Sequence, residues 1–245
     1  MTSRERVART INHQVPDRVP IDLGGMKAST IAAIAYDKLK RRLGITTPTK
    51  ILDPRFMIAV VEDEVLRRLH ADVVPLDLSG ILSAVRPESE WLPRQLFDGT
   101  HVLFPPGTRI GEDPAGNWIL LDRDGSPTSY QMPRGGFYFD DLVFNQGDRI
   151  DPARFRPVSD VPDEHLTLLR DQARSLYRNT DYAILGWGFG VCFLGLSLIT
   201  DRSSNVTQGL TDEWMIMLMT EKDACHEMMD RSVDAAIRLS FRSPA

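Results

Sequence analysis

The sequence predicts an α/β fold carrying an antiparallel hairpin insertion, and three features support that prediction. Short apolar strands alternate with amphipathic helices on either side of a central stretch, the rhythm of parallel strands joined by crossover helices. Across that central stretch, from about residue 91 to 144, turn signals punctuate short β-prone runs. Beyond the glycine-rich residues 186–190, every remaining segment carries helical periodicity.

Taken in order, Thr2 and Glu5 form a Thr-x-x-Glu capping box that opens a short helix with Val7 and Ile11 on one face. Pro16 bounds it. Val19, Ile21 and Leu23 alternate with Pro20 and Asp22, which predicts a strand ending at Gly24-Gly25. A second helix is expected from about Thr30, with Ile31, Ile34, Ala35, Leu39 and Leu43 at helical spacing and Gly44 as its stop. Its basic run, Lys38 to Arg42, falls in the last turns, where cations complement the helix dipole. A third helix over Ile58–Leu69 feeds directly into a short strand over Val73–Leu78.

Asp98-Gly99, Ala115-Gly116-Asn117 and Asp124-Gly125 then mark hairpin turns around strands such as Trp118–Leu121. The α/β rhythm resumes where Asp163 caps a helix bearing Leu166, Leu169, Ala173 and Leu176. Tyr182–Trp187 reads as a third buried strand entering Gly186-Trp187-Gly188-Phe189-Gly190. Helices are expected over Cys192–Thr200, Leu210–Met219 and Thr220–Leu239, the last opened by a Thr220-x-x-Asp223 cap. Three core strands are too few for a closed barrel of eight or for a doubly wound sheet.

Composition narrows the function classes. With 29 basic against 34 acidic residues the net charge is −5, which argues against a nucleic-acid partner. Two cysteines, Cys192 and Cys225, cannot build a disulfide framework and suit a reducing cytoplasm. The first residues lack the apolar core of a signal peptide. The longest apolar run, Ile184–Ile199, is broken by four glycines and is shorter than the ~20 residues a membrane span requires. A cytoplasmic protein with no membrane partner is expected.

The opening, Ser3-Arg4-Glu5-Arg6-Val7 through Pro16-Asp17-Arg18-Val19-Pro20-Ile21-Asp22-Leu23-Gly24-Gly25, resembles the uroporphyrinogen decarboxylase superfamily. It is most similar to the branch that holds cobalamin-dependent methyltransferases. Leu66 to Val74 resembles that family's second helix-to-strand junction, with His70 where the family has glycine. Asp181 to Gly188 resembles its third strand and glycine-rich loop, and Glu221 to Val233 the helix before its fourth strand.

The resemblance implies one domain over residues 1–245, a partial (β/α)8 TIM barrel in which residues 91–144 rise as an insertion from a βα loop. It covers about the first two-thirds of a family member. Residues 239–245 leave the family pattern, so the chain is expected to be a fragment, inactive alone and prone to self-association through open strand edges. The implied activity is methyl transfer from a small methylated compound or a corrinoid-bound methyl group. The alternatives are a uroporphyrinogen decarboxylase, a lyase of porphyrin biosynthesis, or a shortened paralogue that binds a ligand or partner without catalysis.

Barrel enzymes hold their chemistry at the C-terminal ends of the strands. Asp22 and Asp77 are expected there. By resemblance to the decarboxylases, Asp77 is the candidate catalytic carboxylate, although the match can slide to Ser79 and an aspartate can equally cap its own turn. Asp22, Gly24, Gly25, Trp187 and Phe189 are the candidate substrate-binding residues of the barrel mouth.

Departures from the decarboxylase pattern weigh against tetrapyrrole chemistry. Where that pattern has Arg-Gln-Ala-Gly-Arg to grip carboxylates, this chain reads Leu23-Gly24-Gly25-Met26-Lys27, and its tyrosine position falls on Ser197. The methyltransferases bind zinc through a His-x-Cys pair and a distant cysteine, and this chain has no His-x-Cys. Cys225 and His226 are adjacent, so on a helix they diverge by about 100°. No cofactor is therefore expected within the chain, while zinc and a corrinoid partner protein are expected of a longer methyltransferase-like form. The G-x-G-x-G spacing at 186–190 lacks the dinucleotide-binding pattern, since Asp201 lies too early for its acidic partner. Met215, Met217, Met219, Met228 and Met229 are expected as core filler.

Overall fold

Helix boundaries follow the local chemistry of the chain closely. The structure, a computed structural model, describes residues 1–76, 86–141, 162–186 and 211–242. Helix α1 (Ser3–Ile11) opens on the expected reciprocal cap, with the Thr2 amide donating to Glu5 and the Glu5 amide donating to the Thr2 hydroxyl. Its inward residue is Arg6 rather than the expected Val7–Ile11 face, and Ile11 is exposed. Helix α2 (Ala33–Arg42) starts three residues later than expected and stops at Gly44, whose φ is +72°. The basic run falls in its last turn as expected, and Lys40 there is buried and donates to Thr47, the Pro48 carbonyl and Glu62.

The chain divides into two compact units, one of residues Met1–Asp140 and Asp171–Trp187, the other of Asp141–Arg170 and Gly188–Ala245. The first is mixed α/β. Strands β1 (Thr49–Asp53) and β2 (Ile58–Ala59) pair antiparallel. The turn between them passes through Met57 at φ +52°. Ile58 and Ala59, expected inside a helix, therefore belong to a sheet, and helix α3 (Asp63–Arg68) begins only after Glu62. The Tyr36 hydroxyl fixes that start by accepting from the Glu62 amide at 2.8 Å.

Strand β3 (Val73–Leu76) pairs in parallel with β10 (Ala183–Gly186), in the continuous register Val73–Ala183 to Leu76–Gly186. Two of the three expected parallel strands are thus neighbours. The third, Val19–Leu23, is not a strand. The Ile21 carbonyl accepts from the Asp72 amide at 2.7 Å, but the Ile21 amide donates to the Asp72 carboxylate and Pro20 has no amide to give. The segment is docked beside β3 by one side chain instead of by a ladder.

The expected hairpins form. Strands β4 (Leu92–Gln95) and β5 (His101–Phe104) pair around Asp98-Gly99. Strands β6 (Ile110–Glu112), β7 (Trp118–Leu121), β8 (Pro127–Met132) and β9 (Asp140–Asp141) form a second sheet in that order, with β6, β7 and β8 antiparallel. They are not a separate excursion from the α/β part. β5 also pairs in parallel with β1, giving the sheet order β2-β1-β5-β4. Leu96, Val102, Phe104, Trp118, Leu120 and Met132 share one core with Ala33, Tyr36, Ile51, Met57 and Val65. Each such large side chain stabilises the fold by roughly 1.5–3 kcal/mol relative to exposure. Among the described residues the sheets are small and do not close into a barrel.

Asp72, with no exposed surface, precedes β3 and collects the N-terminal segment around itself. Its carboxylate accepts from the Ser3 hydroxyl, from Arg6 Nη1 at 2.6 Å, from both terminal nitrogens of Arg18 and from the Ile21 amide. Arg6 in turn forks onto Asp17 at 2.6 and 2.7 Å. The Asp72 carbonyl accepts from Ala183, which carries the tie onward to β10.

Helix α4 (Asp163–Asn179) forms as expected, and its Leu176 packs with Leu66, Ala71 and Val74 in the first unit. In the second unit, α5 (Thr211–Thr220) packs on α6 (Lys222–Arg242). Thr220 is the last residue of α5 and lies one position short of the α6 N-cap, with its hydroxyl donating back to the Ile216 carbonyl. Met217 and Met228 are buried as expected, but Met215 and Met219 are exposed, Met219 by 75%. Among the described residues no helix is long and apolar enough to cross a membrane. The expected helix over Cys192–Thr200 lies outside the described residues.

His70 ends α3 at φ +54°, the left-handed conformation that glycine adopts most cheaply. It closes a Schellman motif, with the His70 amide donating to Arg67 and the Ala71 amide donating to Leu66. His70→Gly is expected to raise the unfolding free energy by roughly 1 kcal/mol in denaturant titration.

Candidate functional site

The residues expected at a barrel mouth fall into two groups. Asp77, Trp187 and Phe189 lie outside the described residues. Asp22, Gly24 and Gly25 form a turn beside β3. The Gly25 amide donates to Asp22 Oδ1 at 2.7 Å, so Asp22 caps its own turn, the role weighed above for Asp77. Gly24 sits at φ +89°, and its amide donates to the Ser29 carbonyl. A Cβ on Gly25 would stand 2.6 Å from Val73 Cγ1 and 2.6 Å from Asp22 Oδ1. The turn therefore lies against the first residue of β3, and glycine at 25 is what lets the backbone approach so closely.

From that turn the chain enters a short 3-10 segment, Lys27–Ser29, which brings Lys27 to the end of β1. Lys27 Nζ donates to Asp53 Oδ2 at 3.0 Å, and Arg55 Nη2 donates to the same oxygen at 3.2 Å. The Arg55 amide and Nε donate to Asp53 Oδ1. Asp53 is the last residue of β1 and lies on its inward side, in alternation with Ile51 and Thr49. Burial pushes the Asp53 carboxyl up, but the Arg55 and Lys27 cations outweigh it and hold the group below the ordinary carboxylate range. Arg55 also bonds Tyr130 on β8, and its guanidinium lies 5.3 Å from the Phe56 ring centre and 5.7 Å from that of Tyr130.

Sequence reasoning singled out Lys27 only as a poor substitute for arginine, and did not single out Asp53, Arg55 or Tyr130. The one available signal was Asp53-Pro54-Arg55, a carboxylate and a guanidinium two apart across a proline turn.

Zinc finds no ligand set among these residues. Cys225 is buried with its thiol pushed up by burial and by Glu221, whereas the adjacent His226 is exposed. Among the described residues no three His, Cys, Asp or Glu side chains converge. No metal chemistry is assigned to them. An open groove of about 480 Å³ along α1, lined by Glu5, Arg9 and Gln14 among others, touches none of the expected site residues.

No family model matches the chain, and neither a curated protein nor a solved structure is found similar to it.

The tight fit at Gly25 gives a direct check. Gly25→Ala is expected to destabilise the protein by roughly 1–3 kcal/mol, because the added methyl overpacks Val73 and presses on the Asp22 cap. Equilibrium unfolding in urea measures it.

Proposed function

We propose that this chain belongs to the uroporphyrinogen decarboxylase superfamily, on its methyltransferase-like side, and takes a small methylated compound or a corrinoid-bound methyl group as substrate. In this reading β3 and β10 are adjacent strands of a (β/α)8 barrel, and a corrinoid would come with a partner protein. One observation carries the reading. The three stretches that resemble the family, Ser3–Gly25, Leu66–Val74 and Asp181–Gly188, are far apart in sequence yet meet at Asp72. Arg6 and Arg18 reach it from the first, and Ala183 binds its carbonyl from the third. A chance likeness of separate segments has no reason to converge in space.

Porphyrinogen decarboxylation receives less support. Lys27 is the single cation within residues 22–27. A substrate with several carboxylates needs several charged forks.

Calorimetric titration of the purified chain with methylcobalamin, and separately with uroporphyrinogen, tests the assignment. Saturable heat with methylcobalamin alone is the expected result. Binding of uroporphyrinogen alone, or of neither compound, contradicts it.

A further inference from the structure

Two cationic side chains, Lys27 and Arg55, meet one carboxylate at the end of β1. Within the trio Lys27, Asp53 and Arg55, charge is positive by one. Among the described residues Lys27 Nζ has Asp53 as its hydrogen-bond partner, so two of its three N–H donors remain for a ligand. Neither cation is shut away, since the Lys27 side chain is 24% exposed and that of Arg55 33%. The anchoring carboxylate, in contrast, is only 6% exposed and fixed from four directions, which holds both cations in place before anything binds. Phe56 stands against the Arg55 guanidinium with 53% of its surface exposed, an apolar wall beside a charged group.

We propose that Lys27 and Arg55, anchored on Asp53 and flanked by Phe56 and Tyr130, bind the oxyanion head of a small ligand whose flat apolar body lies on Phe56. The head is a carboxylate or a phosphate, an anion that the net positive charge of the trio attracts and that the remaining Lys27 N–H donors meet in charge-assisted hydrogen bonds. This site stands on the contacts of the first unit and does not depend on the family reading.

The test is titration of the intact chain, followed by NMR or calorimetry, with benzoate, inorganic phosphate and benzylamine. Saturable binding of benzoate or phosphate, and none of benzylamine, is expected. Tighter benzoate binding assigns a carboxylate on a flat body, and tighter phosphate binding assigns a phosphate. Lys27→Gln, with folding checked by thermal melting, is expected to weaken the bound anion about tenfold, the loss of one charge-assisted hydrogen bond. Phe56→Ala, at an exposed ring, is expected to weaken benzoate and leave phosphate unchanged. No saturable anion binding, unchanged affinity in a folded Lys27→Gln variant, or benzylamine binding as well as benzoate overturns the proposal.

Discussion

A carboxylate with no access to water must find its compensation inside the protein, and at Asp72 that requirement organises the first unit. Five donors from four residues of the N-terminal segment satisfy it: the Ser3 hydroxyl, one nitrogen of Arg6, two of Arg18 and the Ile21 amide. Each donor fixes part of the chain. Ser3 and Arg6 orient α1, Arg18 also accepts a position at the α3 terminus by donating to the His70 carbonyl, and Ile21 sets the entry to the Asp22–Gly25 turn. Arg4 extends the same tie by donating to the carbonyls of Tyr177, Thr180 and Tyr182. The residues that make the opening distinctive, Asp17 and Arg18 in Pro-Asp-Arg-Val-Pro, are thereby spent on architecture. They stand at the N-terminal end of β3, tied there through Asp72.

Much of the fold was legible because its signals are local. The Thr2–Glu5 box, Gly44, and the turns at Asp98-Gly99, Ala115-Gly116-Asn117 and Asp124-Gly125 each follow from the residue present. So does the parallel pair of β3 and β10, although β10, expected to be buried, is half-buried to exposed, with Leu185 among the exposed residues. What failed was governed by partners distant in sequence. β1 turns Thr49, Ile51 and Asp53 inward, and only one of those three is apolar, so its alternation does not register as hydrophobic. Ile58, Val61, Val65 and Leu69 have helical spacing, yet pairing with β1 claims Ile58. Val19–Leu23 alternates as a strand should, and a single carboxylate from residue 72 takes its hydrogen bond away.

The candidate site was legible to a lesser degree, for the same reason. Asp22, Gly24 and Gly25 are brought together as a turn, and the tightness at Gly25 explains the glycine. The carboxylate that draws Lys27 comes from the unanticipated strand, so the Lys27–Asp53–Arg55 grouping could not be foreseen without β1. Both charged centres of this unit share one design: a buried aspartate holding two cations, closed at Asp72 and partly open at Asp53.

If Asp72 is the organising group, stability must follow its ionisation. Burial pushes its carboxyl up, but the Ile21 amide, Arg18, Ser3 and Arg6 outweigh that and hold it below the ordinary range. A carboxyl lowered on folding contributes stability above its unfolded value, about 3.9, and loses that contribution as pH falls through the folded value. Asp17, held down to about 2 chiefly by its bond from Arg6, follows the same sign. The most direct measurement is the unfolding free energy of the unaltered chain and of Asp72→Asn from neutral pH down to about pH 2. The variant is predicted to be less stable at pH 7 by roughly 3–5 kcal/mol, with a shallower acid limb in which Asp17 still titrates. Equal stability at pH 7 and superimposable acid limbs would contradict the central role of Asp72.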